Sequence, residues 1–230
     1  TVQGNIAIAY KALGDLDAGT LLRIIATLLR PTRGGGTVLG HDLVRDAEAV
    51  REYVGVLGHS PGLYGDLTAR ENLIFALRMA GRPADQGIVE SALDEVGLAR
   101  EADELVRGFS AGMQRRLALA RLRLREPRVL LLDEPFSSLD SLTRIQMQTW
   151  LLHIWHTSSS SVLFVTHDVE EAIRLSDRVY VLSRRPARVV AEIAVDLPRP
   201  REYGATLTPA FTELKRRALA FLHLDEEHRP

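Results

Sequence analysis

Val129-Leu130-Leu131-Leu132-Asp133-Glu134 decides the fold. Four consecutive apolar residues read as a strand buried on both faces, the pattern of a parallel sheet covered by helices. Two adjacent carboxylates stand where that strand emerges. The C-terminal ends of parallel strands open into the crevice where such sheets hold ligands, so Asp133 and Glu134 are candidate site residues. Alone, the pair reads equally as a helix cap. It is not alone: a second buried run, residues 162–165, ends in Thr166-His167-Asp168.

Working outward, residues 6–9, 37–39, 54–57, 179–182 and 189–195 read as further strands. Helices are predicted over 20–29 (stopped by Pro31), 46–52, 142–156 and 211–221. Thr68 with Glu71 forms a capping box that opens a helix to about residue 80, and Asp168 with Glu171 repeats that pattern. Residues 84–124 read as helical apart from a break at 108–112, so a helical insertion interrupts the strands. Short buried strands alternating with helices make an α/β parallel sheet. The 230 residues are 46% hydrophobic and 26% charged, an ordinary globular balance. A net charge of −1 argues against a strongly basic nucleic-acid binder. Cysteine is absent, which excludes disulfides, thiolate metal sites and cysteine catalysis. No apolar run reaches about 18 residues and the start lacks a signal-peptide pattern, so neither a membrane span nor export is expected. Lys11 and Lys215 are the only lysines.

Two more segments complete the chemistry. Ser137-Ser138-Leu139-Asp140 follows the acidic pair, and Phe109-Ser110-Ala111-Gly112-Met113-Gln114 opens a helix upstream. Small residues at a helix start leave backbone N–H groups bare at its positive end, which suits a phosphate. With these segments in this order, the chain resembles the ATP-binding cassette (ABC) ATPase family. The matches are a signature motif at 110–114, a Walker B strand at 129–134, a D-loop at 137–140 and a switch histidine at His167. The resemblance spans residues 20–221. Residues 54–72, with Gly58-His59-Ser60-Pro61-Gly62-Leu63-Tyr64, look like exporter-type cassettes. Residues 136–200, with Thr166-His167-Asp168-Val169-Glu170-Glu171-Ala172 and Val195-Asp196-Leu197-Pro198-Arg199-Pro200, are similar to the nitrate/sulfonate/taurine importer ATPases, and this is the longer match.

The resemblance implies a P-loop NTPase-like (RecA-like) core with a mostly parallel sheet and an inserted α-helical subdomain. Residues 1–65 and 126–195 are the expected core, 66–125 the helical subdomain with the signature, and 196–230 a C-terminal extension. The implied function is ATP binding and hydrolysis energising an ABC transporter, an importer of a small anion or sulfonate. The implied cofactors are ATP and Mg²⁺. Asp133 is then the metal residue, Glu134 polarises the attacking water, and His167 reaches the γ-phosphate. Ser110 and Gly112 contact the γ-phosphate of a partner's ATP, with Gln114 in the same signature and Asp140 in the D-loop. His59 stands where the family usually has a glutamine that reaches Mg²⁺ and the water. The implied partners are transmembrane permease subunits, a second ATP-binding subunit in a head-to-tail dimer and, indirectly, a solute-binding protein. No nucleic acid is expected. The place is the cytoplasmic face of the cell membrane.

One family element is missing. The phosphate loop, GxxxxGK[ST], belongs immediately before Thr20, but residues 12–19 read Ala-Leu-Gly-Asp-Leu-Asp-Ala-Gly. Ala18 occupies the lysine position and Gly19 that of the magnesium-binding hydroxyl, while Asp15 and Asp17 repel phosphate. The simplest account is that about fourteen residues, a central strand plus the loop, are absent between Gly19 and Thr20. The sheet would then lack a central member, and residues 6–9 are the only upstream apolar run able to take its place. The alternative function is an impaired cassette that only completes a partner's site, or has no activity. Tyr10 reads as a buried strand-end tyrosine, with stacking on adenine as the second reading. Ala111 replaces the usual signature glycine, and Arg115, Arg116, Arg121, Arg123 and Arg125 read as the solvated face of the signature helix.

Overall fold

A computed structural model describes residues 5–10, 18–137, 139–157, 160–183 and 188–227; residues 5–10, 18, 153–157 and 223–227 are described by backbone alone. In chain order the elements are β1 (Asn5–Tyr10), α1 (Ala18–Ile25), β2 (Thr37–Val38), β3 (His41–Asp42), α2 (Ala47–Tyr53), β4 (Val54–Leu57), α3 (Ala69–Met79), α4 (Gln86–Glu95) and α5 (Ala111–Arg123). There follow β5 (Val129–Asp133), α6 (Ser141–Thr157), β6 (Ser161–Thr166), α7 (Val169–Leu175), β7 (Arg178–Leu182), β8 (Val189–Ala194) and α8 (Pro209–Glu227).

The main sheet runs β4-β5-β6-β1-β7-β8, parallel throughout except for β8, which pairs antiparallel with β7. Its core divides by side-chain alternation. Leu131 and Val165 point to a cluster with Leu22 of α1, Ala26 just beyond it and Val50 of α2. Leu132 and Phe164 point to the opposite cluster with Ala118, Met147, Ala172 and Phe211 from α5–α8. Helices therefore cover both faces, as the unbroken apolar run at 129–132 requires. Residues of α3, α4 and α5 gather a third cluster around Leu73, Val89, Leu93, Leu98 and Leu117. Close packing of α5 on the sheet needs Gly55, because a Cβ there would meet Leu122 Cδ1 at 2.6 Å. Among the described residues no helix is long and apolar enough to cross a membrane.

The central seat of the sheet is filled. β1 lies between β6 and β7, with Ile8 opposite Val165 on one side and Tyr180 on the other. Residues 6–9, the upstream apolar run expected to fill that seat, do fill it, because an open central edge would leave backbone donors and acceptors unpaired on both neighbours. Lys11, residues 12–17 and Ser138 lie outside the described residues, and nothing is described of the Tyr10 side chain.

Three other expectations change. The first helix ends at Ile25 rather than 29, because Thr27 turns into the left-handed region (φ 58°) and is held there by Arg51, which donates to its hydroxyl and carbonyl. The stretch 84–124 is two helices separated by a loop and a 3-10 turn over Val106–Gly108, a wider break than 108–112. The Thr68–Glu71 capping box closes in both directions. At α7 only half of it forms: the Asp168 carboxylate accepts from Glu170 and Glu171 N–H, while the Glu171 side chain is buried instead of returning to the cap.

Candidate functional site

β5 and β6 are paired with Asp133 opposite Val165, and the Glu134 N–H donates to the Val165 carbonyl at 2.9 Å. Glu134 therefore leaves the sheet beside the start of the Thr166-His167 turn. His167 Nδ1 lies 3.4 Å from Glu134 Oε1. Glu134 has φ 42°, a conformation that costs a glutamate on the order of 1–3 kcal/mol and needs outside support. The support is dense. Its carbonyl accepts from Ser137 N–H at 3.2 Å, the Ser137 hydroxyl at 3.1 Å and Arg115 Nη2 at 3.4 Å.

The signature residues form a second unit. The Ser110 hydroxyl accepts from Met113 N–H at 3.3 Å, capping α5 at its positive end. Asp140 accepts from Thr143 N–H at 3.0 Å; that residue's hydroxyl and N–H hold its carboxyl below the usual range. Ser110, Gly112 and Asp140 line one cavity of about 330 Å³ together with Met113, Thr143 and Gln146. A Cβ on Gly112 would come within 2.9 Å of the Thr143 methyl, so only glycine keeps this wall open. Gln114 is turned away from that cavity wall: its amide donates to the Phe109 carbonyl at 3.2 Å. Met113 and Thr143 stand there instead, and motif spacing alone does not reveal either. His59 is exposed on the loop that follows β4.

Arg115 corrects the reading of the arginines as a solvated face. It is 4% exposed and, among the described residues, donates to backbone carbonyls: Pro135 at 2.6 Å, Gly58 at 2.7 Å, and Asp133 and Glu134 at 3.4 Å. Burial pulls its pKa down to about 10, with Asp133 and Glu171 opposing the shift, so it is charged at neutral pH. Arg116 and Arg121 are half-buried and also bind carbonyls, and only Arg123 and Arg125 are exposed. The cause is that α5 is buried on two sides, Leu117 and Ala120 facing the helical cluster and Ala118, Leu119 and Leu122 the sheet. Glu171, on α7, is also buried. Burial, then the nearby Asp168 carboxylate, push it up to about 8.

Among the described residues no three acidic or histidine side chains converge as a metal cage. Mg²⁺ needs no such cage, since one or two carboxylates suffice when water and phosphate oxygens supply the rest. Asp133, at the mouth of β5, fits that single-carboxylate part. Residues 12–19 do not fit a phosphate cradle, for they hold neither a lysine nor a hydroxyl.

The ABC transporter family profile matches residues 18–137, just over half of the chain. The chain is 41% identical over 222 residues to an aliphatic sulfonates import ATP-binding protein, SsuB, of Mycobacterium sp. (strain MCS), covering 96% of this chain and 84% of that protein. It is 38% identical over 225 residues to a nitrate import ATP-binding protein, NrtD, of Synechocystis sp. (strain ATCC 27184 / PCC 6803 / Kazusa), covering 97% and 82%. The fold superposes with a TM-score of 0.70 and 25% identity on the ATP-binding cassette MJ0796, solved as a dimer in a post-hydrolysis state with ADP and phosphate, over 85% of this chain and 87% of that one. The chain belongs to the ABC transporter family, as an ATP-binding cassette subunit of the nitrate/sulfonate type.

Proposed function

We propose that this chain is the ATP-binding and ATP-hydrolysing subunit that energises an importer of a small anion or sulfonate. It sits at the cytoplasmic face of the cell membrane against transmembrane permease subunits, paired with a second ATP-binding subunit. The import relatives support the direction and the solute class. The observation that carries the hydrolytic part is the Glu134–His167 pair, 3.4 Å apart beyond adjacent parallel strands. In this reading Asp133 serves Mg²⁺, Glu134 polarises water, His167 holds the γ-phosphate, and His59 approaches from the β4 loop. Residues 66–125 act as the helical subdomain, whose Ser110–Gly112–Asp140 cavity meets the partner's nucleotide.

A second reading has its own observation. The signature cavity is built, whereas Ala18 and Gly19 replace the lysine and hydroxyl of the phosphate loop. In that case the chain completes a partner's site while its own is idle. One experiment covers both readings. The chain is mixed with an intact homologous cassette whose own signature serine has been disabled, and ATP hydrolysis is followed. Added chain is expected to raise the rate, and Ser110→Trp to remove the gain. Loss of the gain in Glu134→Gln as well supports hydrolysis by this chain itself; retention supports the donor reading. No gain from the unmodified chain defeats both.

A further inference from the structure

α5 carries the signature serine at its N-terminus, and five residues along it buries a guanidinium with no carboxylate bonded to it among the hydrogen bonds described above. Arg115 spends its donors on four carbonyls, that of Asp133 at the end of β5 and three from two loops. One loop follows β4 and holds His59; the other follows β5 and holds Glu134. Arg121, less than two turns further along the same helix, donates to the carbonyls of Pro61 and Gly62 on the first loop only. A planar guanidinium with donors fixed in a fork can span two loops in a way that a point charge cannot. Charged donors to buried carbonyls are also among the stronger hydrogen bonds. The helix facing the partner's ligand is therefore bonded directly to the backbone that aims Glu134.

We infer that Arg115 is a positioning residue that couples engagement of a ligand at the N-terminus of α5 to the order of the Glu134 and His59 loops of the same chain. The inference rests on the proposed role of Ser110 and Gly112 toward a partner's nucleotide. It goes beyond that role by naming the residue through which one composite site reports to the other. Glu134, at φ 42°, is the element most sensitive to such a tie, because its backbone conformation relaxes when support is withdrawn.

Amide hydrogen exchange of the full chain tests this. It is measured for the free chain, then with Mg-ATP and an intact nitrate- or sulfonate-type cassette whose hydrolytic glutamate is replaced by glutamine to hold the complex. The reporters are the amides of Glu134, Ser137 and Leu139, bonded to Val165, Glu134 and Phe136. The Leu98 amide, bonded to Leu93, monitors the helical cluster. In the unmodified chain, complex formation is expected to slow the reporters about tenfold. In Arg115→Met they should slow less than about twofold, although the complex still forms and Leu98 is unchanged. Arg121→Met should keep the full slowing at 134–139, since it touches only the first loop. Arg115→Gln, which retains one pair of donors, should fall between; it replaces Arg115→Met as the deciding variant if that protein does not fold. Slowing in both Arg115 variants equal to that of the unmodified chain overturns the inference. Failure of the unmodified chain to form the complex counts against the proposed pairing instead. The free chain then decides the tie itself: reporter exchange unchanged by Arg115→Met or Arg115→Gln overturns it.

Discussion

Residues 5–25 and residues 110–140 present opposite relations between shape and chemistry. The first region supplies a central strand and the helix that comes next in the chain. Its residues 12–19 hold neither a lysine nor a hydroxyl. The second region keeps shape and chemistry together, with Ser110 capping its helix, Gly112 holding a cavity wall open and Glu134 pinned in a strained conformation beside His167. A sheet needs only apolar residues of adequate β propensity in its central seat, and β1 meets that need. Phosphate recognition needs particular donors at particular atoms, and no apolar run substitutes for them.

The largest effect expected from this contrast is on nucleotide binding. Hydrogen bonds to charged groups contribute roughly 1.5–3 kcal/mol each, so losing two or three weakens Mg-ATP binding by on the order of 5 kcal/mol, or some thousandfold. Calorimetric titration giving a micromolar constant for this chain alone would break the comparison. The triple change Asp17→Gly, Ala18→Lys, Gly19→Ser should sharpen it by regaining about tenfold to a hundredfold in affinity. The strand is tested next. Ile8→Pro removes a donor from a strand paired on both sides and should cost about 3 kcal/mol in thermal or denaturant unfolding. An unchanged midpoint would mean that β1 is not the central strand.

Glu171, on α7 and outside both regions, gives a pH signature of its own. Its folded pKa is raised to about 8 from 4.5, so folding takes up a proton between those values. Stability should therefore fall as pH rises through that window and level off above it. Glu171→Gln should flatten the slope, gaining on the order of 2 kcal/mol above pH 8 and little near pH 4. A parallel pH profile for variant and parent would show that the carboxyl is ionised when folded. The smallest effect is expected at the cap of the helical layer. Thr68→Ala, which opens one arm of the capping box, should cost about 1 kcal/mol, read as a shifted midpoint with unchanged slope.

Local pattern reached most of the fold. The apolar runs at 54–57, 129–132, 162–165 and 179–182 are strands because each buries side chains on both faces. Thr68 caps its helix because the bonds of a capping box close within four residues. The candidate site was legible wherever small residues or carboxylates sat at an element's end, as at Ser110, Gly112, Asp133, Glu134 and His167. Met113 and Thr143 were not, because they enter the cavity wall only once α5 and α6 are packed.

Tertiary structure decided what depends on neighbours remote in the chain. Nothing in residues 20–29 announces that the helix stops at Ile25; Arg51 holds Thr27 in the turn from the following helix. Arg115 looks like one member of a solvent-facing arginine row until α5 is enclosed from two sides, when carbonyls 18 to 57 positions away accept its hydrogen bonds. Glu171 reads as half of a cap, and burial beneath the strand ends makes it a weak acid. Sequence by itself determined which segments are strands and helices, and which capping residues and carboxylates stand at several of their ends, because those follow from periodicity and local hydrogen bonding. Packing determined which of those residues lose water and which meet, because desolvation and non-local contact exist only after the chain has closed on itself.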